Sequence, residues 1–184
     1  MPEIVLPHGN YQELESYQNG VIIFDATQDF CANFLKNGDR TIDQMIQAAR
    51  SCKQNIAEGN GASVTSSETE IKLMNVAKAS LQELLLDYED YLRVRGLEQW
   101  DINSEKAQQT RKVCSKHNDS AYYREAIKER SDETIANIAI TLIHQTDLLL
   151  RKIIDRLQED FVKNGGIRES MHKARLNYRN SQND

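Results

Sequence analysis

The sequence predicts an all-α protein built around four long helices, and three observations support this fold class. The 184 residues include two prolines and eight glycines, which leaves room for long helices. Apolar residues recur at alternating spacings of three and four, as in the seam of a helix bundle. Residues 134–146 carry no charge and are apolar on almost every side of a helical cylinder, a pattern typical of a helix that is buried all round.

The first helix is predicted from Asn10 and Glu13, which have the N-cap and N3 spacing of a capping signal. Ile23, Phe30 and Phe34 then recur at helical spacing, among other apolar residues. A glycine within this segment weakens the helix without ending it. We therefore expect one long helix from Asn10 to the turn at residues 36–39.

The second helix is capped by Asp39 or Thr41 and is predicted to end at Gly59 and Gly61. One side of it is apolar, and the opposite side is rich in amides. That polar side consists of Gln44, Gln47, Ser51, Gln54, Asn55 and Glu58. Exposed helices usually carry Lys and Glu instead. The pattern therefore indicates either an interior helix whose amides bond to neighbouring helices, or a subunit or nucleic-acid surface.

The third helix begins at overlapping capping boxes in residues 65–70 and stops at Gly96. Its seam consists of Met74, Ala77, Leu81, Leu84, Tyr88 and Tyr91. Residues 97–131 have the weakest pattern. There we expect Trp100 to anchor a connection and a polar helix to span roughly residues 104–116.

Ser131 caps the last long helix, which Gly165 and Gly166 end. Its uncharged stretch indicates either the central helix of the fold or a contact with another subunit. His144 lies in that stretch, and we expect it to be a core histidine with satisfied hydrogen bonds. An amphipathic suffix follows, and one stripe of it consists of Arg168, Arg175 and Arg179. The suffix either docks on the bundle with solvated arginines or forms a phosphate-contacting arm.

Composition narrows the classes of function. Three scattered cysteines favour reduced thiols over a disulfide framework. The N-terminus has no signal-peptide pattern, and no stretch reaches about 18 apolar residues, so we expect a soluble cytoplasmic protein. The net charge of −5 opposes a general nucleic-acid coat. The charge is nevertheless polarised, because residues 1–39 hold six acidic groups and one basic, whereas residues 165–184 hold four basic and two acidic.

No catalytic, cofactor or metal site is predicted. A di-metal carboxylate centre needs two Glu-x-x-His pairs, and Glu169 with His172 supplies one. Cys114 and His117 supply half of a zinc site. Residues 59–66 resemble a phosphate cradle but lack its Gly-Lys-Ser/Thr ending, so we expect a turn and a helix cap there. The chain is therefore predicted not to be an enzyme.

Several sequence blocks carry a family resemblance. They include Arg40-Thr-x-Asp-Gln-Met45, Gln47-Ala-Ala-Arg-Ser51, Lys53-Gln-Asn-Ile-x-Glu-Gly59, Glu70-Ile-Lys-Leu73, Asp87-Tyr-Glu-Asp-Tyr-Leu92 and Ile143-His-Gln145. Together they resemble the 23S rRNA intervening-sequence protein family, which includes the accessory protein of diversity-generating retroelements. The resemblance implies an up-and-down four-helix bundle assembled as a ring-like homopentamer. The expected division is an N-terminal arm at residues 1–10, the bundle at 11–164 and the basic suffix at 165–184.

The function implied is a non-enzymatic bacterial scaffold that binds RNA or single-stranded DNA, beside a protein partner such as a reverse transcriptase. The phosphate-contact candidates are Arg40, Arg50, Lys53, Lys72, Lys78, Arg168, Arg175 and Arg179. The polar side of the second helix supplies the subunit-interface candidates. Lys72 and Lys78 have an alternative role, pairing with Glu68 or Glu70. The alternative function is a protein-binding assembly platform whose acidic exterior keeps nucleic acid away.

Overall fold

The computed structural model describes residues 10–63 and 65–180, and within these ranges the chain is helical and contains no β-strand. The predicted N-terminal arm lies outside the described residues, apart from Asn10. A 3-10 turn at Tyr11–Glu13 precedes the α-helices. Their bounds are α1 Glu15–Phe34, α2 Arg40–Ala62, α3 Ser67–Arg95, α4 Glu105–Cys114, α5 Ser120–Glu129, α6 Asp132–Asn164 and α7 Ile167–Asn180. The all-α prediction is confirmed.

The four longest helices surround one hydrophobic core. Helix α2 packs against α1 and α3, and α6 also packs against α1 and α3. The fully buried Tyr88 donates its hydroxyl to Thr27 Oγ1 on α1 over 3.0 Å. Tyr91 donates to Asp132 Oδ2 over 2.8 Å, which ties the end of α3 to the start of α6. The seam predicted for the third helix is buried throughout, as the sequence indicates.

The predicted start of the first helix is wrong, and the second helix ends at Ala62, one residue beyond the predicted end. Asn10 caps the 3-10 turn by accepting a hydrogen bond from Gln12 N over 3.2 Å, and α1 begins only at Glu15. Helix α2 continues past both of the glycines that were expected to end it. A Cβ atom on Gly59 would lie 3.3 Å from Leu73 Cβ on α3. Gly59 therefore permits a close helix approach, and the residue type alone does not distinguish that role from a C-cap.

Two short helices between α3 and α6 cover the outside of the long helices. Helix α4 confirms the predicted polar helix, whereas α5 was not predicted. Helix α4 packs on α6, and α5 packs mainly on α1. Arg124 on α5 lies 3.5 Å from Asp25 Oδ2 and 3.6 Å from Asp29 Oδ2 on α1. We refer to residues 97–131, the connection that contains both short helices, as the insert, and it also contributes Cys114, Tyr123 and Ile127 to the core.

This insert explains the uncharged stretch of α6. Residues 135–143 are all buried. Asn137 connects the stretch to the insert, because its Nδ2 donates to Glu98 O over 2.8 Å and its Oδ1 accepts from Trp100 N over 2.8 Å. The first alternative, a central helix of the fold, therefore accounts for this stretch within one chain. Trp100 anchors the connection as predicted.

The prediction for His144 is wrong, because this side chain is exposed. It lies two helical turns beyond Asn137 on nearly the same side of α6. The connection that covers Asn137 does not bury α6 as far as His144.

The three cysteines, Cys31, Cys52 and Cys114, are buried and free of disulfides. Among the described helices, none has the length and apolarity required to cross a membrane.

Candidate nucleic-acid interface

The suffix folds as helix α7, and most of its described side chains are exposed to solvent. Arg168, Arg175 and Arg179 are all exposed. They form one stripe, because positions seven and eleven residues apart lie within about 20° of each other around a helix. On the apolar edge of the suffix, Met171 and Tyr178 are exposed, by 47% and 62%. The first alternative for the suffix, docking of its apolar edge on the bundle, therefore does not describe α7.

Helix α7 concentrates positive charge. It carries the four cations Arg168, Lys173, Arg175 and Arg179, and one carboxylate, Glu169. Within the described residues, Lys173, Arg175 and Arg179 form no ion pair. The Glu169 carboxylate instead accepts a hydrogen bond from the Gly166 backbone N–H. The helix is thus a basic segment on a chain whose net charge is −5.

A groove of about 570 Å³ lies where α6 ends, α7 begins and α2 turns into α3. Helix α7 contributes Arg168, His172 and Lys173, together with the carboxylate of Glu169, which accepts from the Gly166 N–H. The turn before α3 contributes the hydroxyl groups of Thr65, Ser66 and Ser67, together with Glu68, whose carboxylate pairs with Lys72. Guanidinium, ammonium and hydroxyl groups are all common contacts of phosphate oxygens in nucleic-acid complexes. We refer to this groove, with its two paired carboxylates, as the suffix groove.

Sequence reasoning did not place His172, Lys173 or the hydroxyl groups in the site, because they meet across about 100 residues of chain. The expectation of a turn and cap before α3 is confirmed, since Ser66 Oγ accepts from Thr69 N over 3.2 Å. The sequence feature that could have pointed to this side of the groove is the cluster of hydroxyl residues in that turn. Its position beside the suffix depends on the packing of the long helices and was not visible in the sequence.

Lys72, near the groove, is neutralised by a neighbouring acid. Its Nζ lies 2.7 Å from Glu68 Oε1, one helical turn earlier on α3. Lys72, and to a smaller extent Arg168, hold the pKa of Glu68 below its usual range. The pair is exposed and therefore contributes little to stability. The alternative role of Lys72, pairing with Glu68, is confirmed.

The other candidates from the family blocks do not converge on one surface. Lys53 is half-buried, and its Nζ lies 4.1 Å from the centroid of the Phe24 ring, so it packs as a cation–π partner. Lys78 is also half-buried, without an ion pair among the described residues. Arg50 is exposed in mid-helix, and Arg40 is the first residue of α2. The 23 residues of α2 separate Arg40 from the suffix groove by about 34 Å along the helix.

The polar side of α2 is divided between two environments. Ser51 Oγ lies 2.9 Å from Ser80 Oγ on α3, and Asn55 Nδ2 donates to Ser51 O over 2.8 Å. The half-buried members are Ser51, Gln54 and Asn55, and the exposed members are Gln44, Gln47 and Glu58. Part of this side therefore bonds within the bundle, as an interior helix would. The exposed part remains free for an interface.

Comparison of the chain with protein-family models, with curated proteins and with solved structures finds no match. The family resemblance therefore stays a prediction from the sequence blocks.

Proposed function

We propose that the protein is a non-enzymatic, oligomeric scaffold that binds RNA or single-stranded DNA through α7 and the suffix groove. The observation that supports this most is the set of exposed cations on α7 that lack ion pairs within the described residues. Phosphate contacts depend on clustered Lys and Arg more than on net charge. An acidic chain with one basic helix therefore attracts nucleic acid to that helix first.

The proposal includes an up-and-down four-helix bundle that assembles as a cytoplasmic homopentamer. Short turns join α1 to α2 and α2 to α3, which favours antiparallel neighbours. Gln44 and Gln47 offer uncharged polar groups for a subunit contact, and Val94 on α3 is 70% exposed. A ring would present several copies of α7 to one strand, so that weak single contacts add up. A protein partner such as a reverse transcriptase would bind beside the strand.

The test is fluorescence anisotropy with structured RNA, single-stranded DNA and duplex DNA at low salt. The α7 variant replaces Arg168, Arg175 and Arg179 by Gln. The control variant replaces the exposed Lys36, Lys112 and Lys116 by Gln and loses the same charge. We expect the α7 variant to bind more weakly and the control variant to bind like the wild type. Equal losses of affinity in both variants would show that binding depends only on net charge and would exclude a site on α7.

A protein-binding assembly platform is the second candidate. The net charge of −5 and the exposed apolar side chains of α3 favour it. These apolar side chains are Val76, Leu86 and Val94. If the wild-type protein binds none of the three probes at low salt, this second candidate becomes the better account.

A further inference from the structure

A cavity of about 280 Å³ lies between α4, α5 and α6. It reaches α6 at Ile138, which is about 39 Å along that helix from its end beside α7. Small-molecule pockets usually measure about 300–1,000 Å³. A cavity just below this range has room for one planar ring system, and the exposed side chains of Lys106 and Arg130 place positive charge at its outer side. We refer to it as the insert cavity.

Three aromatic side chains, Trp100, Tyr122 and Tyr123, form part of its wall. The Tyr122 ring stacks on His117 with ring centroids 3.8 Å apart and an interplanar angle of 5°. Tyr123 meets Tyr122 edge-on at 5.3 Å and donates its hydroxyl to His117 O over 3.0 Å. Neighbouring groups thus hold the wall in place without a ligand. Such preorganisation lowers the cost of binding a flat ring.

The charge of the insert cavity favours an anion. Among the described side chains that line it, Lys106 and Arg130 are cations and none is a carboxylate. Lys106 Nζ lies 5.8 Å from the Trp100 ring centroid and 3.5 Å from Glu98 Oε2, an exposed pair of the kind that is weak in water. Arg130 has no ion pair among the described residues. Arg130 is therefore available to an anionic group, and Lys106 would exchange its Glu98 partner for one.

Polar groups beside the aromatic wall can contact the edge of a ring. Gln109 and Thr110 line the insert cavity and bring an amide and a hydroxyl group. The Trp100 Nε1–H is buried and has no acceptor among the described residues, so it is not one of these contacts.

We propose that the insert cavity binds a nucleotide unit, with the base on the aromatic wall and the phosphate beside Lys106 and Arg130. Aromatic side chains stack on any base, and guanidinium and ammonium groups bind phosphate. The unit is either a free mononucleotide or an unstacked nucleotide of a single strand. The inference goes beyond the proposed function, because a mononucleotide binds here even if α7 contacts no strand.

Intrinsic fluorescence tests the proposal directly, because Trp100 is the single tryptophan of the chain. The full-length protein is titrated with each of the four nucleoside monophosphates, with adenosine and with ribose 5-phosphate. We expect at least one monophosphate to change the fluorescence saturably. Adenosine and ribose 5-phosphate should require concentrations about tenfold higher, because each lacks one half of the recognised unit. No change with any monophosphate at millimolar concentration, or an equal response to adenosine, would overturn the proposal.

Two variants check the phosphate contact. Arg130→Gln and Lys106→Gln should each raise the half-saturating concentration by about tenfold. Lys112→Gln, on the exposed side of α4 and outside the lining, is the matched control and should leave it unchanged. Unchanged titrations in both Arg130→Gln and Lys106→Gln would contradict the assignment.

A single-stranded RNA and the same sugar–phosphate strand without bases distinguish the two sources of the nucleotide. A Trp100 response to the monophosphate and to the RNA, but not to the strand without bases, assigns a strand nucleotide. A response to the monophosphate alone assigns a free nucleotide, and either result supports the proposal. The α7 variant should keep its response to the monophosphate, so that failure of the α7 site and failure of the insert cavity are separate results.

Discussion

Glu70 lies in the first turn of α3 with 8% of its surface exposed, and burial raises its pKa to about 7. The nearby Lys72 pairs with Glu68 instead. Within the described residues, Glu70 has no ion pair that would offset the cost of burying its charge. The folded state is therefore sensitive to pH in the neutral range through this side chain.

Because the folded pKa is raised, Glu70 contributes stability that is present below its unfolded pKa and is lost as the pH rises through about 7. Glu70→Gln should therefore raise the free energy of unfolding at pH 8 by roughly 1–3 kcal/mol and change it little at pH 5. Urea denaturation at both pH values measures this difference. The exposed Glu58→Gln is the control, and an equal gain at both pH values for Glu70→Gln would contradict the prediction.

Gly59 and Gly61 provide a second matched pair at the residue scale. A Cβ atom at Gly61 would meet nothing within 4 Å, whereas one at Gly59 would press on Leu73 and Met74 of α3. We expect Gly61→Ala to stabilise the protein by about 0.5–1 kcal/mol, because alanine favours a helix more than glycine does. Gly59→Ala should show a smaller gain or a loss. Equal gains in thermal unfolding would refute the close approach of α2 and α3.

At the scale of elements, the sequence predicted the long helices and missed α5. Long helices repeat their apolar spacing over several turns, and α5 has only ten residues. Short helices depend on tertiary packing more than on local signals. Asp119 caps α5 by accepting hydrogen bonds from Ala121 N and Tyr122 N, a local feature that the sequence analysis did not use. The suffix helix was predictable from its spacing, whereas its exposure depends on contacts distant in sequence.

The insert is expected to stabilise the fold by covering α1 and α6. Ile127 on α5 is 6% exposed and belongs to the core. Ile127→Ala should reduce the free energy of unfolding by about 2–5 kcal/mol, because it removes apolar contacts and leaves a cavity. Leu86→Ala, at a position that is 54% exposed, should change it by about 0.5 kcal/mol or less. Chemical denaturation measures both, and similar losses would contradict the role given to the insert.

At the scale of the whole molecule, the candidate site was predictable only in part. The arginine stripe of the suffix was visible as a local charge pattern. The suffix groove was not, because it requires the turn before α3 to lie beside α7. The sequence also did not show that Arg40, Lys53 and Lys78 lie on different surfaces. The family resemblance is defined by blocks of sequence, which carry no information about surface position.

Assembly is a prediction at the same scale. Size-exclusion chromatography with light scattering should show a homopentamer at micromolar concentration. Replacing the exposed Gln44 and Gln47 by Lys should reduce the mass, because like charges would meet at the proposed interface. Circular dichroism of the variant checks that the helices persist. A wild-type monomer at micromolar concentration would contradict the predicted homopentamer.

The central claim is that an acidic molecule binds nucleic acid through one basic helix, and the salt dependence of single-stranded RNA binding tests it most directly. Each phosphate contact contributes about 0.7 to the slope of log affinity against log salt for single strands. Replacing Arg168, Arg175 and Arg179 by Gln should therefore reduce the magnitude of the slope by about 2, from three lost contacts. The variant with Lys36, Lys112 and Lys116 replaced should keep the wild-type slope. An α7 variant with an unchanged slope would contradict the claim.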